Sequence, residues 1–303
     1  MRRAGQAGFV LVNALVLVAA MAAAAVFVLA QAETGRAQLA ASQDADQLAA
    51  YLDAFESHAM VALTRDSINV DHPSDLWAGA ATPFALDRGT VTGHVTDAAG
   101  RFNINWLANP ADTAAHAAFA RLARDIGLRQ GITKDLLDAL SFAPAAPDGY
   151  RRLDPPLRPP GGALTLQRQL DDIPALTPED RARLIPYIAI LPGDSQLNIN
   201  TAPVAVVASF FPDAATSDIA GALAARQVAP ILSVNSFFEA VELAQGTGLG
   251  DGFDRGRFAV NTWWFSVDIR AALGPRSAVR TLLLERRGES RRPLVRWRVT
   301  QFR

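Results

Sequence analysis

The run FVLVNALVLVAAMAAAAVFVLA, residues 9–30, is almost wholly apolar, and Asn13 is its only strongly polar residue. These twenty-two residues make a helix of roughly 33 Å at about 1.5 Å per residue, enough to cross the hydrocarbon core of a bilayer. A short leader, Met1 to Gly8, precedes the run and carries Arg2 and Arg3, and no matching basic cluster follows it. The asymmetry puts the leader in the cytoplasm and the bulk of the chain on the other side of the membrane. A cleaved secretory signal is one reading, with Ala30-Gln31-Ala32 as its cleavage site, although such signals have an apolar core of only about 7–15 residues. A simple anchor helix is another, and it has no need of the Gly8-Phe9 junction.

Outside the membrane the same helix is expected to continue to about Thr64. Leu48, Leu52, Phe55, Ala59 and Leu63 recur at three- and four-residue spacings and form one apolar stripe, while Gln38, Gln43, Asp46, Gln47 and Asp53 mostly take the other faces. Gly35 is a weak point within it. From Thr82 the period changes to two. Thr90–Val95 and Phe102–Trp106 both alternate around a turn at Asp97-Ala98-Ala99-Gly100, which predicts a hairpin.

From Asp112 to about Thr247 the pattern is helical. Phe119, Leu122, Ala123 and Ile126 make one stripe, and Leu136, Leu137 and Leu140 another. Residues 143–162 are too rich in proline and glycine for helix or central strand. Thr177-Pro178-Glu179-Asp180 reads as a helix start, with Thr177 as cap and Pro178 in the first position. A second start follows at Asn200-Thr201-Ala202-Pro203, with Val204–Phe211 as its apolar body.

From Phe258 the period returns to two, with Trp263, Phe265, Val267 and Ile269 facing one way and Trp264, Ser266, Asp268 and Arg270 the other. Two further strands are expected near Ala278–Arg286 and Leu294–Phe302, around a polar turn at Gly288-Glu289-Ser290. Strands on both sides of a long helical stretch give an α+β fold in which an all-α domain is inserted between the strands of an antiparallel sheet.

Half of the 303 residues are apolar, so a substantial core is available, and the absence of cysteine excludes disulfides, thiol catalysis and Cys-ligated zinc. Net charge is −1, yet residues 270–303 hold ten arginines against Glu285 and Glu289. The simplest expectation is that these arginines decorate the wet face of exposed strands; a nucleic-acid or anionic-lipid surface is the alternative. Catalysis finds no support. His58, His72, His94 and His116 have no metal-type spacing and no nucleophile motif near them, and Gly246–Gly252 follows a helix rather than the strand that a phosphate-binding loop requires.

Four segments, in order, resemble the K-type minor pseudopilins of the type II secretion system, the family of general secretion pathway protein K. They are the Gly8-Phe9 junction with its apolar helix, Gly100-Arg101-Phe102-Asn103-Ile104-Asn105, the stretch Leu191–Pro203 (LPGDSQLNINTAP), and Phe258-Ala259-Val260-Asn261-Thr262 with the aromatic strand after it. The resemblance implies a leader at 1–8 cut by prepilin peptidase between Gly8 and Phe9, with N-methylation of Phe9. It further implies a transmembrane helix at 9–30, a periplasmic helix extension at 31–66, a pilin-like α/β domain at 67–108 closed by strands at 258–303, and an inserted helical domain at 109–257. It implies a non-enzymatic subunit of the bacterial inner membrane, single-pass with its globular part in the periplasm. That subunit would stand at the tip of the pseudopilus with I-type and J-type minor pseudopilins above the major pseudopilin, starting its assembly and contributing to export of folded proteins.

Asn13 is the fifth residue counted from Phe9, where most pilin-like subunits carry a glutamate that pairs with a neighbour's N-terminus. A tip subunit has no neighbour above it, and the K-type family typically lacks that acid, so Asn13 marks the tip position in this reading. The family often holds calcium in acidic clusters of the helical domain. Here the equivalent stretch is Asp138–Pro144 without an acidic run, and Asp148, Asp154, Asp171 and Asp172 are scattered, so no cofactor is expected and calcium is not supported by the acidic pattern. Leu197–Thr201 also resembles the opening of helix-hairpin-helix DNA-binding modules, which makes an envelope DNA-binding protein the alternative function. The expected hairpin at Phe211–Asp218 has no glycine and carries two acids, so no nucleic-acid partner is expected.

Overall fold

The computed structural model describes residues 4–79, 84–141, 148–152, 154–156, 158–159, 161–250, 253–288 and 291–303. Of the expected features, Arg2 and Arg3, residues 143–147, 153, 157 and 160 of the 143–162 stretch, and Glu289-Ser290 of the polar turn lie outside them.

Helix α1, Ala4–Arg65, has 62 residues and ends on Arg65, whose charge suits a helix C-terminus; at 1.5 Å per residue it is about 93 Å long. It passes Gly8, Phe9 and Gly35 without interruption. Its apolar stripe is the one expected: Leu48, Leu52, Phe55, Ala59 and Leu63 are all buried. Strands β1 (Phe84–Leu86) and β2 (Gly89–Asp97) follow. The chain then builds β3 (Phe102–Asn103), α2 (Thr113–Asp125), α3 (Ile132–Leu140), α4 (Asp148–Arg151), α5 (Pro178–Leu184) and β4 (Ile188–Ala189). Next come β5 (Leu197–Asn198), α6 (Val204–Ala208), α7 (Thr216–Leu223), α8 (Val234–Gln245) and β6 (Phe258–Ala259). Strands β7 (Trp264–Leu273), β8 (Arg276–Glu285) and β9 (Leu294–Phe302) complete the fold.

The main sheet has the order β1-β2-β7-β8-β9, and every pair in it is antiparallel. Alternation puts Val91 and Val95 of β2 and Phe265, Val267, Ile269 and Ala271 of β7 onto the α1 stripe. Each fully buried large side chain there contributes about 1.5–3 kcal/mol relative to exposure. Gly93 sits directly under α1: an added Cβ would lie 2.5 Å from Phe55 Cε1 and 2.9 Å from the Asp268 carbonyl oxygen. Gly93→Ala is therefore expected to destabilise the chain by about 1–3 kcal/mol, measured as a lower urea midpoint with unchanged slope.

The predicted hairpin of Thr90–Val95 with Phe102–Trp106 is not formed. β2 pairs with β1 and β7, whereas Phe102–Asn103 pairs in parallel with Ile188–Ala189. Two side-chain caps turn the chain away from the sheet. Asp97 accepts the Ala99 N–H at 2.8 Å, and Asn103 accepts the Asn105 N–H at 3.1 Å, which opens a 3-10 turn over Ile104–Ala108. Every residue from Phe102 to Ala108 is buried, on both parities, in the core of the helices. Trp263 also departs from its expected place. It is 39% exposed and precedes β7, while Trp264 packs on the second face of the sheet with Ala98, Ala99 and Leu283.

The helical domain is built from one unit used twice. Phe102-Asn103-Ile104-Asn105 and Leu197-Asn198-Ile199-Asn200 each begin with a two-residue strand, followed by two helices, a connecting segment (which in the first copy holds the one-turn α4), a further helix and a closing parallel strand. In both, the first Asn accepts the N–H of the second, at 3.1 and 3.0 Å. In both, the second Asn clasps one loop residue through its backbone. Asn105 accepts the Leu164 N–H at 2.7 Å and donates to the Leu164 and Leu191 carbonyls at 2.9 and 2.8 Å. Asn200 accepts the Ile231 N–H at 2.9 Å and donates to the Ile231 and Val260 carbonyls at 3.0 and 3.3 Å. The two copies share one core, where Phe102 of the first stacks on Phe210 of the second at 5.7 Å.

Candidate functional site

The residues singled out from the sequence, Gly8, Phe9 and Asn13, all lie on α1. Phe9 is 70% exposed and Asn13 is also exposed. Four residues apart, these two share one face of the helix. The apolar stretch from Phe9 onward is long enough to cross a membrane, and none of it is buried within the protein. Bare apolar surface on this scale requires lipid or partner helices.

The other functional element is the seat of the helical domain, which the sequence reading missed. Arginines on β8 record its direction: Arg276 donates to the Ala41 carbonyl, Arg280 pairs with Asp53 and Glu56, and Arg286, just beyond the strand, pairs with Asp66. Thus β8 and its parallel neighbour-but-one β2 run away from the apolar end of α1, and β7 runs back toward it. The helical domain leaves the sheet at Asp97 and rejoins it at Trp264, where Asp97 lies opposite Phe265. It therefore sits beyond the end of the sheet farthest from the membrane helix.

A buried polar node fixes it there. Asp97 accepts hydrogen bonds from Asn198 Nδ2 at 2.8 Å, Thr201 Oγ1 at 2.6 Å and the Ala99 N–H. Burial pushes its carboxyl above the usual range, against the pull of Thr201, Thr262 and Asn198. Gly100 packs so closely that an added Cβ would come within 2.4 Å of Thr201 Oγ1. Asp71 is wholly buried. Its Oδ2 accepts from the Thr262 N–H at 2.7 Å and from Arg286 Nη2 at 2.5 Å, and its carbonyl accepts from Asn198 Nδ2 at 3.1 Å. Burial outweighs the attraction of Arg286 and pushes the Asp71 carboxyl up to about 7. His72 adds a further tie, its Nε2 donating to the Arg226 carbonyl at 2.5 Å.

The arginines of the last strands do not form the uniformly wet face expected of them. Arg280 and Arg286 are buried and bound to acids on α1 and just after it, and Arg298 reaches Glu56. Arg287 and Arg296 both pair with Glu285. Long strand side chains reached the helix because α1 lies across the same sheet face, which a period-two reading of the strands alone does not reveal. In the helical domain Asp138 pairs with Lys134 and Asp171 with Arg181; the side chain of Asp148 lies outside the described residues. The DNA-binding alternative finds no support: Phe211–Asp218 presents an exposed Asp213, and Arg280, Arg286, Arg296 and Arg298 of the basic C-terminal segment are each paired with an acid.

An apolar anchor continuous with a helix that backs an antiparallel sheet defines a membrane-anchored, pilin-like subunit, here carrying a helical domain on its far end. Residues 100–193, the first copy of the repeated unit, match the family model described as type II secretion system protein K. The type II secretion system protein K of Pseudomonas aeruginosa is 28% identical over 94% of this chain and 90% of its own length. A putative type II secretion system protein K of Escherichia coli K12 is 28% identical over 48% of this chain and 50% of that protein. The fold matches a chain in the crystal structure of the GspK-GspI-GspJ complex from enterotoxigenic Escherichia coli, with a TM-score of 0.71 at 18% identity, covering 87% of this chain and 99% of that one. Over nearly its whole length the chain is similar to type II secretion system protein K. It is a minor pseudopilin, a structural part of the secretion machinery and not an enzyme.

Proposed function

We propose that this chain caps the type II pseudopilus and starts its assembly, in complex with I-type and J-type minor pseudopilins and above the major pseudopilin. Prepilin peptidase cuts between Gly8 and Phe9, Phe9 is N-methylated, and the apolar helix holds the subunit in the inner membrane with its globular part in the periplasm until it enters the filament.

The observation that carries this reading is the position of the helical domain. It occupies the membrane-distal end of the sheet, held by the Asp71–Asp97–Asn198 node, where a subunit stacked above would have to sit. Growth then proceeds only from below. Asn13 agrees with this. A glutamate there would need a partner charge within the bilayer, which a top subunit lacks, and asparagine avoids an unpaired intramembrane charge. The known complex of a K-type chain with I and J partners supports the choice of neighbours.

The experiment is co-expression of the full chain with a prepilin peptidase, followed by N-terminal sequencing of the membrane-extracted product. Methylated Phe9 is the expected first residue, and Met1, Gln31 or Glu33 in its place would overturn the processing step. Immunogold labelling of the helical domain on assembled filaments should mark one end only, and label distributed along their length would overturn the tip position.

A further inference from the structure

Between the end of α1 and the start of β1, the chain gathers Asp66, Asp71 and Asp75. Each offers a carboxylate oxygen, and the three oxygens lie within 4.8 Å of one another. Most of their other interactions are already assigned. Asp66 Oδ2 accepts from Arg286 Nη1 at 3.2 Å, Asp71 Oδ2 is held by Arg286 and Thr262, and Asp75 Oδ2 accepts the His72 N–H at 2.7 Å. Asp71 is 0% exposed, yet its Oδ1 has no hydrogen-bond partner among the described residues. An orphaned carboxylate oxygen at that depth is costly, and native structures seldom tolerate one without an ion or water.

Charge counting leads the same way. Three carboxylates face one guanidinium, Arg286, leaving two negative charges; Asp97, the next acid, is occupied by Asn198, Thr201 and Ala99. Hard oxygen donors suit a hard cation. Oxygens on opposite sides of a calcium ion lie up to about 5 Å apart, so the spread of these three, within 4.8 Å, is compatible with their sharing one.

We propose that Asp66, Asp71 and Asp75 bind one divalent cation of calcium's size, which ties the end of α1 to the segment that seats the helical domain. This site lies outside the helical domain, away from the Asp138–Pro144 stretch where the family resemblance would put calcium. The cation replaces the missing partner of Asp71 Oδ1 and balances the surplus charge. Because Asp71 also holds Thr262 and, through its carbonyl, Asn198, binding stiffens the joint between sheet and helical domain. The inference holds whether or not the subunit stands at the tip.

The test uses the full chain in detergent micelles, stripped with chelator and then given CaCl2. Hydrogen exchange should slow in residues 66–76 and 260–263, and calorimetry should show one saturable site. Asp75→Asn keeps an oxygen that can accept the His72 N–H but removes a charged ligand, and should weaken calcium binding at least about tenfold. Unchanged exchange in 66–76 on adding calcium, or an Asp75→Asn chain that binds calcium as tightly as the parent, would overturn the proposal. If the variant does not fold, the exchange measurement on the parent chain decides alone.

Discussion

Arg286→Met is expected to destabilise the chain by about 3–5 kcal/mol at about pH 8, and by less at about pH 5. The guanidinium is 1% exposed and donates to Asp66, the Ser67 carbonyl, Asp71 and the Thr262 carbonyl, with its carbon 5.0 Å from the centre of the Phe265 ring. Methionine fills much of the volume but donates nothing, so buried acids lose their counter-charge and two carbonyls lose donors. The pH dependence follows from Asp71. In the folded parent its carboxyl sits at about 7 instead of 3.8, so between those values the folded state holds a proton that the unfolded state releases. This residue's contribution to stability therefore falls as pH rises through that window. Removing Arg286 raises the carboxyl further. At about pH 5 Asp71 is then neutral in parent and variant alike, and the penalty shrinks. Urea unfolding of both chains, followed by tryptophan fluorescence at the two pH values without divalent cations, reads it directly; an equal loss at both would show that Asp71 is not the source.

The second large effect is expected at the paired asparagines. Asn105→Leu strands the Leu164 N–H and the Leu164 and Leu191 carbonyls, and Asn200→Leu strands the Ile231 N–H and the Ile231 and Val260 carbonyls. Each orphaned buried group costs about 1–3 kcal/mol, so either variant should lose about 3 kcal/mol or more. The two clasps share no partner, so the double variant should lose close to the sum, within about 0.5 kcal/mol. Unfolding curves of the two single variants and the double variant test this. A much smaller loss in one variant would mean that one clasp is ornamental and that the two copies of the unit are not held alike.

The parts of the fold with strong periodicity were legible in the sequence. The α1 stripe, the caps at Thr177–Asp180 and the alternation of Phe265, Val267 and Ile269 each report one buried face, and one face is all that periodicity encodes. The residues 102–108 were misread because Phe102, Ile104 and Trp106 alternate while Asn103 and Asn105 are buried too. An asparagine that caps its own turn looks polar and outward in a sequence. The same asparagines held the signal that was overlooked: Phe-Asn-Ile-Asn and Leu-Asn-Ile-Asn are near-copies, and repeated text implies a repeated unit. The seat at Asp71, Asp97 and Arg286 was not legible, because its members come from three distant stretches and only the tertiary fold brings them together. Gly8, Phe9 and Asn13 stood out because a bilayer imposes a rule on sequence that needs no tertiary contact.

Strands β2 and β7 are hydrogen-bonded neighbours in space, although the entire helical domain separates them along the chain. As an unfolded tether that segment would hold Asp97 and Phe265 apart at an entropic cost that grows with its length. Once folded, its own parallel strands and the clasp at Asn200 bring both ends to one place. Folding of the insert thereby lowers the entropic cost of pairing β2 with β7 and helps to complete the sheet.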